Sequence, residues 1–306
     1  MSGPEEAPDE FSQIAELFRP LTRGAPGALG LLDDAAVIPS RPGWDLVVTK
    51  DAMVCGVHFR PDEDPEQIAQ RLMRANLSDL AAKAAEPFGY FLMTAWSGDF
   101  GWEKRQAFAH GLARDGELFN VSLLGGDTVA TPGPLTLSMT ALGWVPAGQM
   151  VRRDSAQIGD LVVVSGPIGD GWLDWGLGQG PHIPVPRLDL REKLRGFATS
   201  SADISDGLIA DAGHLAKASG HGMRLDLARM PLSPQGFAWT EAQPDAALAR
   251  LRLATAGDDY QLVCTVGPAD AGRLGLTIIG EVTEEGFEVL VEDRRMEAGS
   301  GGWTHS

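Results

Sequence analysis

The sequence predicts an α+β fold made of two α/β domains. Segments with the apolar patterns of strands and of helices occur in both halves of the chain, without a strict strand–helix–strand alternation. The length of 306 residues suits two domains. A connector containing Pro, Gly and Arg at 146–154 indicates the boundary. We expect a flexible N-terminus at 1–10, an N-terminal domain at 11–148 and a C-terminal α/β domain at 149–306.

The first domain begins with two strand-like runs, 45–49 and 53–59, which flank an acidic residue. Asp64-Pro65 then begins a long helix, because Asp caps helices and Pro suits the first helical position. Residues 135–145 alternate apolar and small polar side chains, which is typical of a strand in a sheet.

In the second domain, a strand at 161–165 leads into the Gly-rich turn 166–171, whose backbone N–H groups could approach a phosphate. This turn has neither the Walker A nor the dinucleotide-binding spacing, so it is a weak signal alone. A helix begins at Asp206-Gly207 and ends at Gly220. Further strand-like runs lie at 260–266, 277–282 and 287–292.

The composition argues against several functional classes. With a net charge of −17 and no dense cluster of Lys or Arg, the chain is not expected to bind nucleic acid or an anionic membrane, although an ordinary acidic enzyme would carry the same charge. No run approaches the ~18 apolar residues of a membrane span. Cys55 and Cys264 lie far apart, without a zinc or CxxC spacing. A reducing, cytoplasmic location is therefore the default expectation.

Short acidic phrases are the strongest functional signal. Several follow or interrupt apolar runs, where an unpaired negative charge is costly to desolvate. Mg²⁺ with bound phosphate is the usual compensation, because it takes a few carboxylates and completes its shell with water and phosphate oxygens. The phrases are Leu32-Asp33-Asp34-Ala35, Thr49-Lys50-Asp51, Asn76-Leu77-Ser78-Asp79, Gly125-Gly126-Asp127-Thr128, Asp203-Ile204-Ser205-Asp206-Gly207 and Gly257-Asp258-Asp259-Tyr260. They indicate an enzyme that acts on nucleotide phosphates with magnesium.

Asp79 is the carboxylate that is hardest to explain as a surface residue. It falls on the same helical face as the apolar Ile68, Leu72 and Ala75. The alternative is that Ser78 or Asp79 caps a fresh helical turn.

Two other phrases also have structural alternatives. Gly125 and Gly126 would let the backbone approach a ligand while Asp127 holds a metal, but the phrase also suits a hairpin turn. Asp203 and Asp206 straddle the expected helix start, where an N-terminus stabilises carboxylates without any ligand.

His58 and Arg153 are weaker candidates. His58 lies in a strand-like run and fits a core position as well as a substrate contact, whereas Arg153 could pair with a nucleotide phosphate or remain an exposed Arg. The sequence has no GxSxG, HExxH or protein-kinase phrase, which removes the commoner hydrolase, zincin and protein-kinase interpretations.

Taken together and in order, the phrases from Asn76 to Tyr260 resemble those of the thiamine-monophosphate kinase family, in the superfamily of aminoimidazole ribonucleotide synthetase. The resemblance runs from about Phe11 to Trp303. It implies a homodimer in which each N-terminal domain binds ATP and Mg²⁺ and contributes strands to a shared β-barrel. It also implies direct transfer of the ATP γ-phosphoryl group to thiamine monophosphate, giving thiamine diphosphate, with no phosphoenzyme.

The resemblance also implies roles for residues that match the family's positions. The magnesium ligands would be Asp34, Thr49, Asp51, Asp79, Asp127, Asp203 and Asp206. The nucleotide contacts would be Gly126, Asp127, Arg153 and Ser205. The contacts to thiamine monophosphate would be His58, Asp258 and Trp303, the last through cation–π attraction to the thiazolium ring.

Some positions depart from the family's pattern. Leu32 replaces a usual Gly, and Lys50 stands where a second hydroxyl would help to hold a metal. Val129-Ala130 ends the GGDT phrase in less polar residues than usual, and Asp258 replaces a longer Glu. These changes leave the reaction class intact but affect the expected number of metal ions and the nucleotide affinity.

Two competing interpretations remain. The first is another ATP-dependent synthetase or a maturation enzyme of the same superfamily, against which the absence of a Cys before Cys55 and of a C-terminal Cys argues. The second is a non-catalytic nucleotide-binding protein whose acidic phrases are only caps and turns. In that case Asp79 and Asp127 would point apart, whereas convergence of Asp34, Asp51, Asp79, Asp127 and Asp203 on one cleft would contradict it.

Overall fold

A computed structural model describes residues 8–178 and 180–297. The chain divides into two units, Met1–Leu80 with Glu86–Gly148, and Ala81–Ala85 with Gln149–Ser306. Helices and strands occur in both units, and each unit contains one mixed β-sheet among the described residues. The predicted α+β class is therefore confirmed.

The first unit opens with short helical turns and continues with long strands and helices. The turns are α1 (Glu10–Gln13), a π-helical turn (Ile14–Phe18) and two 3₁₀ segments (Arg19–Thr22 and Pro26–Leu31). The longer elements are β1 (Trp44–Val54), α2 (Pro65–Ala82), β2 (Glu86–Ser97), α3 (Trp102–Leu118), β3 (Ser122–Thr131) and β4 (Thr136–Pro146).

The four strands of this unit form a sheet in the order β1-β4-β2-β3. β4 pairs antiparallel with both β1 and β2, and β2 pairs parallel with β3. β1 and β3 are consequently the edge strands. Residues on one face of the sheet are almost fully buried, among them Leu92, Leu137 and Met139. This face forms the core, because apolar burial is the main favourable term in folding.

The long helix predicted from Asp64-Pro65 is present as α2. Its first turn is capped by Asp64, whose side chain accepts a hydrogen bond from the Glu66 N–H at 2.8 Å. Ile68 and Leu72 are at most 1% exposed, so the predicted apolar stripe is buried. The stripe also carries Asp79 towards the sheet.

The two strands predicted at 45–49 and 53–59 are instead one continuous strand, β1, with Asp51 in its interior. The chain after Val54 forms a turn, because Gly56 adopts a left-handed φ of 84° and the His58 N–H bonds back to the Val54 carbonyl. His58 therefore lies in a turn and not in a strand. The prediction was wrong here because side-chain alternation does not reveal where the backbone reverses.

The second unit has a larger sheet with helices between its strands. The strands are β5 (Leu161–Val164), β6 (Ala198–Asp203), β7 (Gly222–Asp226), β8 (Leu262–Val266), β9 (Thr277–Thr283), β10 (Phe287–Val291) and β11 (Arg294–Met296). The helices are α4 (Asp170–Gly176), α5 (Arg191–Phe197), α6 (Leu208–Ser219), α7 (Pro234–Glu241), α8 (Ala246–Thr255) and α9 (Ala271–Leu274), with 3₁₀ turns at Leu188–Leu190 and Leu227–Arg229. Within the described segments, no helix combines the length and apolar character needed to cross a membrane.

The seven strands follow the order β11-β10-β7-β9-β5-β8-β6. The predicted helix after Asp206 is confirmed in its extent and ends at Gly220 in the left-handed conformation. Its first residue is Leu208, however, so Asp203 and Asp206 do not straddle its start. Asp203 is the last residue of β6, and Asp206 lies in the turn between strand and helix.

Candidate active site

Thr49, Asp51 and Asp79 meet on the buried face of the first sheet. Thr49 and Asp51 alternate along β1, and the Thr49 hydroxyl donates a hydrogen bond to Asp79 Oδ2 on α2. Burial, followed by the negative charge of Asp79, raises the pKa of Asp51 to about 6. Two carboxylates and a hydroxyl are hard oxygen donors, and a cation between them would relieve their repulsion, so this set suits Mg²⁺.

The phrase Gly125-Gly126-Asp127-Thr128 lies inside β3 and does not form the hairpin turn considered as its alternative. A register shift between Tyr90 and Phe91 marks a bulge where β3 enters this phrase. A Cβ atom on Gly126 would lie 1.9 Å from the Leu92 carbonyl oxygen, so only glycine fits there. Asp127 follows directly and is exposed.

A cavity of about 320 Å³ lies beside this phrase in the first unit. Asp33, Asp34, Gly126 and Asp127 contribute its polar lining, and Ile14, Phe18 and Phe91 are among its apolar lining residues. The structure therefore brings Asp34 and Asp127 to one cavity, although they are far apart in sequence. An apolar wall with an acidic rim suits a planar base together with metal-bound phosphate.

Asp127 is separated from the Thr49–Asp51–Asp79 cluster by the width of the sheet. Asp51 on β1 pairs with Met139 on β4, which in turn pairs with Leu92 on β2. Leu92 pairs with Gly126 on β3, the residue before Asp127. Three strand spacings amount to about 14 Å. Within one chain, the described residues of the first unit therefore do not bring Asp51 and Asp127 to one metal ion.

Lys50 lies on the opposite face of β1 from Thr49 and Asp51, because successive strand residues alternate. Its Nζ donates to Ser138 Oγ at 2.7 Å, and this hydroxyl donates to the Asp51 carbonyl at 3.0 Å. Lys50 therefore does not enter the Thr49–Asp51–Asp79 cluster.

His58 is held by its own turn. Its Nδ1 accepts a hydrogen bond from the Val54 N–H at 3.0 Å. An imidazole whose Nδ1 accepts carries its proton on Nε2, so this bond selects the tautomer.

In the second unit, Ser205 and Asp206 lie in the turn between β6 and α6. Asp211, 2% exposed, accepts the backbone N–H groups of both residues with Oδ2, each at 3.1 Å. Burial, followed by the charge of Asp206, raises the pKa of Asp211 to about 7, and the positive charge of Arg153 opposes the rise. Arg153 thus lies close enough to act on this turn.

Asp206, Asp211 and His214 present possible ligand atoms that all lie within 4.8 Å of one another. Asp211 and His214 were not among the predicted site residues. The available signal was their spacing of three residues on α6, close behind Asp206.

The turn Gly257–Tyr260 also belongs to the second unit. Asp258 and Tyr260 adopt left-handed φ values of 66° and 51°, so the predicted strand at 260–266 begins only at Leu262. The Asp258 N–H donates to the Ser205 carbonyl at 2.9 Å, which joins this turn to the one that precedes α6. Asp258 is half-buried.

Asp259 anchors the Gly-rich turn that follows β5. It is 2% exposed and accepts the N–H groups of Gly169 at 2.9 Å and of Gly171 at 3.2 Å. Burial raises the pKa of Asp259 to about 8. These two N–H groups were expected to face a phosphate, but the buried carboxyl takes them. This role of Asp259 was not predictable from the sequence, because Asp259 and the two glycines are far apart in the chain.

Trp303 lies outside the described residues. His58 lies in the turn after β1. The other predicted positions fall into groups within each unit: Asp34, Gly126 and Asp127 at the cavity, Thr49, Asp51 and Asp79 under the sheet, and Arg153, Asp203, Ser205, Asp206 and Asp258 at the turns of the second unit.

Comparison with known proteins identifies a consistent set of relatives. Residues 32–145 match the N-terminal domain of AIR synthase related protein. The chain is 51% identical to thiamine-monophosphate kinase of Caulobacter vibrioides over an aligned length of 320 positions. The alignment covers 97% of this chain and 91% of that protein.

Solved structures agree with this likeness. Thiamine-monophosphate kinase from Stenotrophomonas maltophilia K279a is 33% identical, with a TM-score of 0.78 and coverage of 92% of this chain and 96% of that one. AaThiL complexed with AMPPCP and TMP is 27% identical, with a TM-score of 0.75 and coverage of 89% and 97%.

Proposed function

The chain belongs to the thiamine-monophosphate kinase family, and we propose that it transfers the γ-phosphoryl group of ATP directly to the phosphate of thiamine monophosphate. The products would be thiamine diphosphate and ADP. The complex of AaThiL with AMPPCP and TMP supports this pair of substrates. The observation in this chain that carries the proposal is the cluster of Thr49, Asp51 and Asp79, whose oxygens are gathered on the buried face of the sheet.

The chemistry explains why the chain would gather carboxylates and need no activated nucleophile. Both substrates bring phosphate charge, so their repulsion must be reduced before in-line transfer. The acceptor phosphate is already ionised at neutral pH, so a strong general base is unnecessary. Transfer then depends on positioning and electrostatics.

Several magnesium ions would be held by oxygen ligands from the acidic phrases. When bound, Mg²⁺ would neutralise the developing charge on the phosphate oxygens. The proposed ligands are Asp34, Thr49, Asp51, Asp79, Asp127, Asp203 and Asp206. Their carboxylate and hydroxyl groups fit a hard cation.

The nucleotide would contact Gly126, Asp127, Arg153 and Ser205. Gly126 permits close approach because the backbone there lies against Leu92, and Arg153 supplies the positive charge that a phosphate requires. Thiamine monophosphate would contact His58, Asp258 and Trp303. His58 carries its donor on Nε2, which suits a phosphate oxygen, and Asp258 would face the cationic thiamine moiety.

We further propose a homodimer in which residues 11–148 form the ATP- and magnesium-binding domain and the dimer interface, with residues 149–306 as the C-terminal domain. Two features of the first sheet support this. Its edge strands β1 and β3 end the sheet, and apolar Val48 and Val129 on these edges are 54% and 47% exposed. A second copy would close the sheet into a shared barrel and cover both strands.

The cytoplasm is the compartment that we propose, since both Cys55 and Cys264 are free thiols and the donor is ATP. The closest alternative activity is that of an ATP-dependent synthetase or maturation enzyme in the same superfamily.

The decisive experiment incubates the purified protein with ATP, Mg²⁺ and thiamine monophosphate. We expect equal amounts of thiamine diphosphate and ADP, with no turnover when EDTA replaces Mg²⁺. Thiamine and, separately, a precursor of aminoimidazole ribonucleotide are offered as alternative acceptors. Turnover of another acceptor without formation of thiamine diphosphate would reject the proposed substrate, and nucleotide binding without any turnover would favour a non-catalytic protein.

A further inference from the structure

A buried ion pair lies behind the turn that carries His58. Arg71 on α2 contacts Glu63, with 3.1 Å between Nη1 and Oε2. The two side chains are only 8% and 3% exposed. Burying two charges is expensive, and their attraction offsets that cost only when further hydrogen bonds satisfy the remaining groups. The other contacts of this pair therefore indicate what it holds in place.

Both members of the pair reach the backbone of the turn. Arg71 Nη2 donates to the His58 carbonyl at 3.0 Å, and the Glu63 carboxylate accepts the Arg60 N–H. The ion pair thus fixes the main chain at His58 and two residues beyond it. On the other side of His58, its Nδ1 accepts the Val54 N–H, which ties the ring to the end of β1.

We propose that Arg71 and Glu63 are positioning residues that set the location and tautomer of His58, and through it the affinity for the phosphate of the acceptor. This inference rests on the proposed function, in which His58 contacts thiamine monophosphate. Its structural basis is α2, which carries Arg71 and, eight residues later, the cluster residue Asp79. At 1.5 Å per residue this separation is about 12 Å of rigid helix. Through Arg71, α2 therefore holds the turn of His58, the proposed acceptor contact, at a fixed distance from Asp79, a proposed metal ligand.

The same helix offers a matched control. Arg74 Nε contacts Asp115 Oδ2 at 2.6 Å, with side chains 13% and 0% exposed. This pair also joins an Arg of α2 to a buried carboxylate, but Asp115 lies on α3, where it accepts hydrogen bonds from Arg74 and Gln70. Loss of either pair leaves a buried charge without its partner and is expected to lower the melting temperature.

The test compares Arg71→Met with Arg74→Met. We expect both to lower the melting temperature, but only Arg71→Met to raise the KM for thiamine monophosphate, by about tenfold, as for one lost hydrogen bond of ordinary strength. The KM for ATP should stay within about twofold. Arg71→Lys keeps the charge but offers one ammonium for two acceptors, so its KM should be intermediate. Arg71→Lys also serves as the main variant if Arg71→Met does not fold.

A second readout does not depend on turnover. The ¹⁵N NMR shifts of the His58 ring, assigned by their loss in His58→Ala, report which nitrogen carries the proton. We expect the Nε2–H tautomer in the unaltered protein and in Arg74→Met, and a mixture of tautomers in Arg71→Met and Arg71→Lys. Glu63→Gln should give the same mixture, since it breaks the pair from the other side.

The outcomes separate the inference from its premise. If His58→Ala raises the KM for thiamine monophosphate and the Arg71 variants change neither this KM nor the ring shifts, the positioning role is overturned. Equal effects of Arg71→Met and Arg74→Met on the KM for thiamine monophosphate would also overturn it. The Arg71–Glu63 pair would then contribute only to the stability of the fold. If the ring shifts change as expected but His58→Ala leaves the KM unaltered, the positioning of His58 stands and the substrate role assigned to His58 fails.

Discussion

Asp51 and Asp127 lie on the two opposite edge strands of one four-stranded sheet, in adjacent rows of its register. β4 and β2 separate them, which amounts to about 14 Å across a flat sheet. Carboxylates that share one Mg²⁺ at about 2.1 Å each must lie within a few ångströms of each other. If both residues bind the same magnesium ion, one of them must come from a second copy of the chain.

Mixed dimers test this geometry. Asp51→Asn and Asp127→Asn homodimers should each lose at least about a hundredfold in kcat, the scale of one lost charge-stabilising group. A dimer with one copy of each variant would contain one site with both carboxylates intact and one with neither. We expect it to recover about half of the unaltered activity. Two affinity tags isolate the mixed species, and phosphoryl transfer to thiamine monophosphate is measured.

A mixed dimer that recovers no activity would contradict this arrangement. If each site were built from a single chain, every site of the mixed dimer would lack one carboxylate. A mixed dimer of Asp127→Asn with an unaltered copy is the control for the purification, and either arrangement gives it one intact site.

Asp51 predicts a pH dependence of magnesium binding. Burial and the charge of Asp79 raise its pKa to about 6, and a carboxyl must lose its proton to bind a metal. Below pH 6 the Mg²⁺ affinity should therefore fall by up to about tenfold per pH unit. Calorimetric titration of the protein with MgCl₂ from pH 5 to 7.5 measures it. A flat profile would show that Asp51 does not bind the ion.

The raised pKa of Asp51 also predicts how the stability of the folded protein changes with pH. In the unfolded chain Asp51 has its ordinary, lower pKa, so between that value and about 6 the folded protein without metal binds more protons than the unfolded chain. Its stability should fall as pH rises through this window and then level off. Added Mg²⁺ should remove that loss, because it binds the ionised form of the folded state.

The sequence was sufficient for the helix α2, for the α+β class and for the family, because these depend on local periodicity and on phrases of fixed order. It failed at the end of β1, where a strand was expected through Phe59 and the chain instead reverses at Gly56. Alternating side chains continue through such a turn, so their pattern does not mark it.

The site was harder to predict than the fold, for a physical reason. Asp211 and Asp259 take their roles from backbone N–H groups that they accept, and those of Gly169 and Gly171 lie about ninety residues from Asp259. Pairings over such distances arise from tertiary packing and leave no local spacing to detect. Likewise, the separation of Asp51 from Asp127 depends on strand order, which neither phrase encodes.

Asp259 predicts a second pH effect, this time on stability alone. Burial raises its pKa to about 8, so stability should fall as pH rises from its ordinary value towards 8 and change little above it. Asp259→Asn cannot ionise and turns an N–H donor towards Gly169 or Gly171, at a cost of about 1–3 kcal/mol. The melting temperature of the variant should be lower at pH 6, and its deficit should shrink towards pH 8.5. A deficit that stays constant from pH 6 to pH 8.5 would show that Asp259 is already ionised in the folded protein.

Asp211 should govern the affinity for ATP through the turn that it holds. Its Oδ2 accepts the N–H groups of both Ser205 and Asp206, which are proposed to contact the nucleotide and a metal. In Asp211→Asn, a neutral amide oxygen replaces the charged carboxylate oxygen that accepts both bonds, which weakens them, so the turn should loosen. We expect the KM for ATP to rise about tenfold, with a smaller change in the KM for thiamine monophosphate.

Asp226→Asn provides the matched control for Asp211→Asn. Asp226 Oδ1 likewise accepts two backbone N–H groups, of Ala228 at 3.0 Å and of Glu292 at 3.3 Å, but these belong to turns that carry no proposed ligand. Both variants should lose stability through a weakened cap, and only Asp211→Asn should change the KM for ATP. Steady-state kinetics at saturating Mg²⁺ and melting curves on the same samples separate the two effects. Equal KM values in the two variants would make Asp211 a structural cap and leave the nucleotide contact to Ser205 and Arg153.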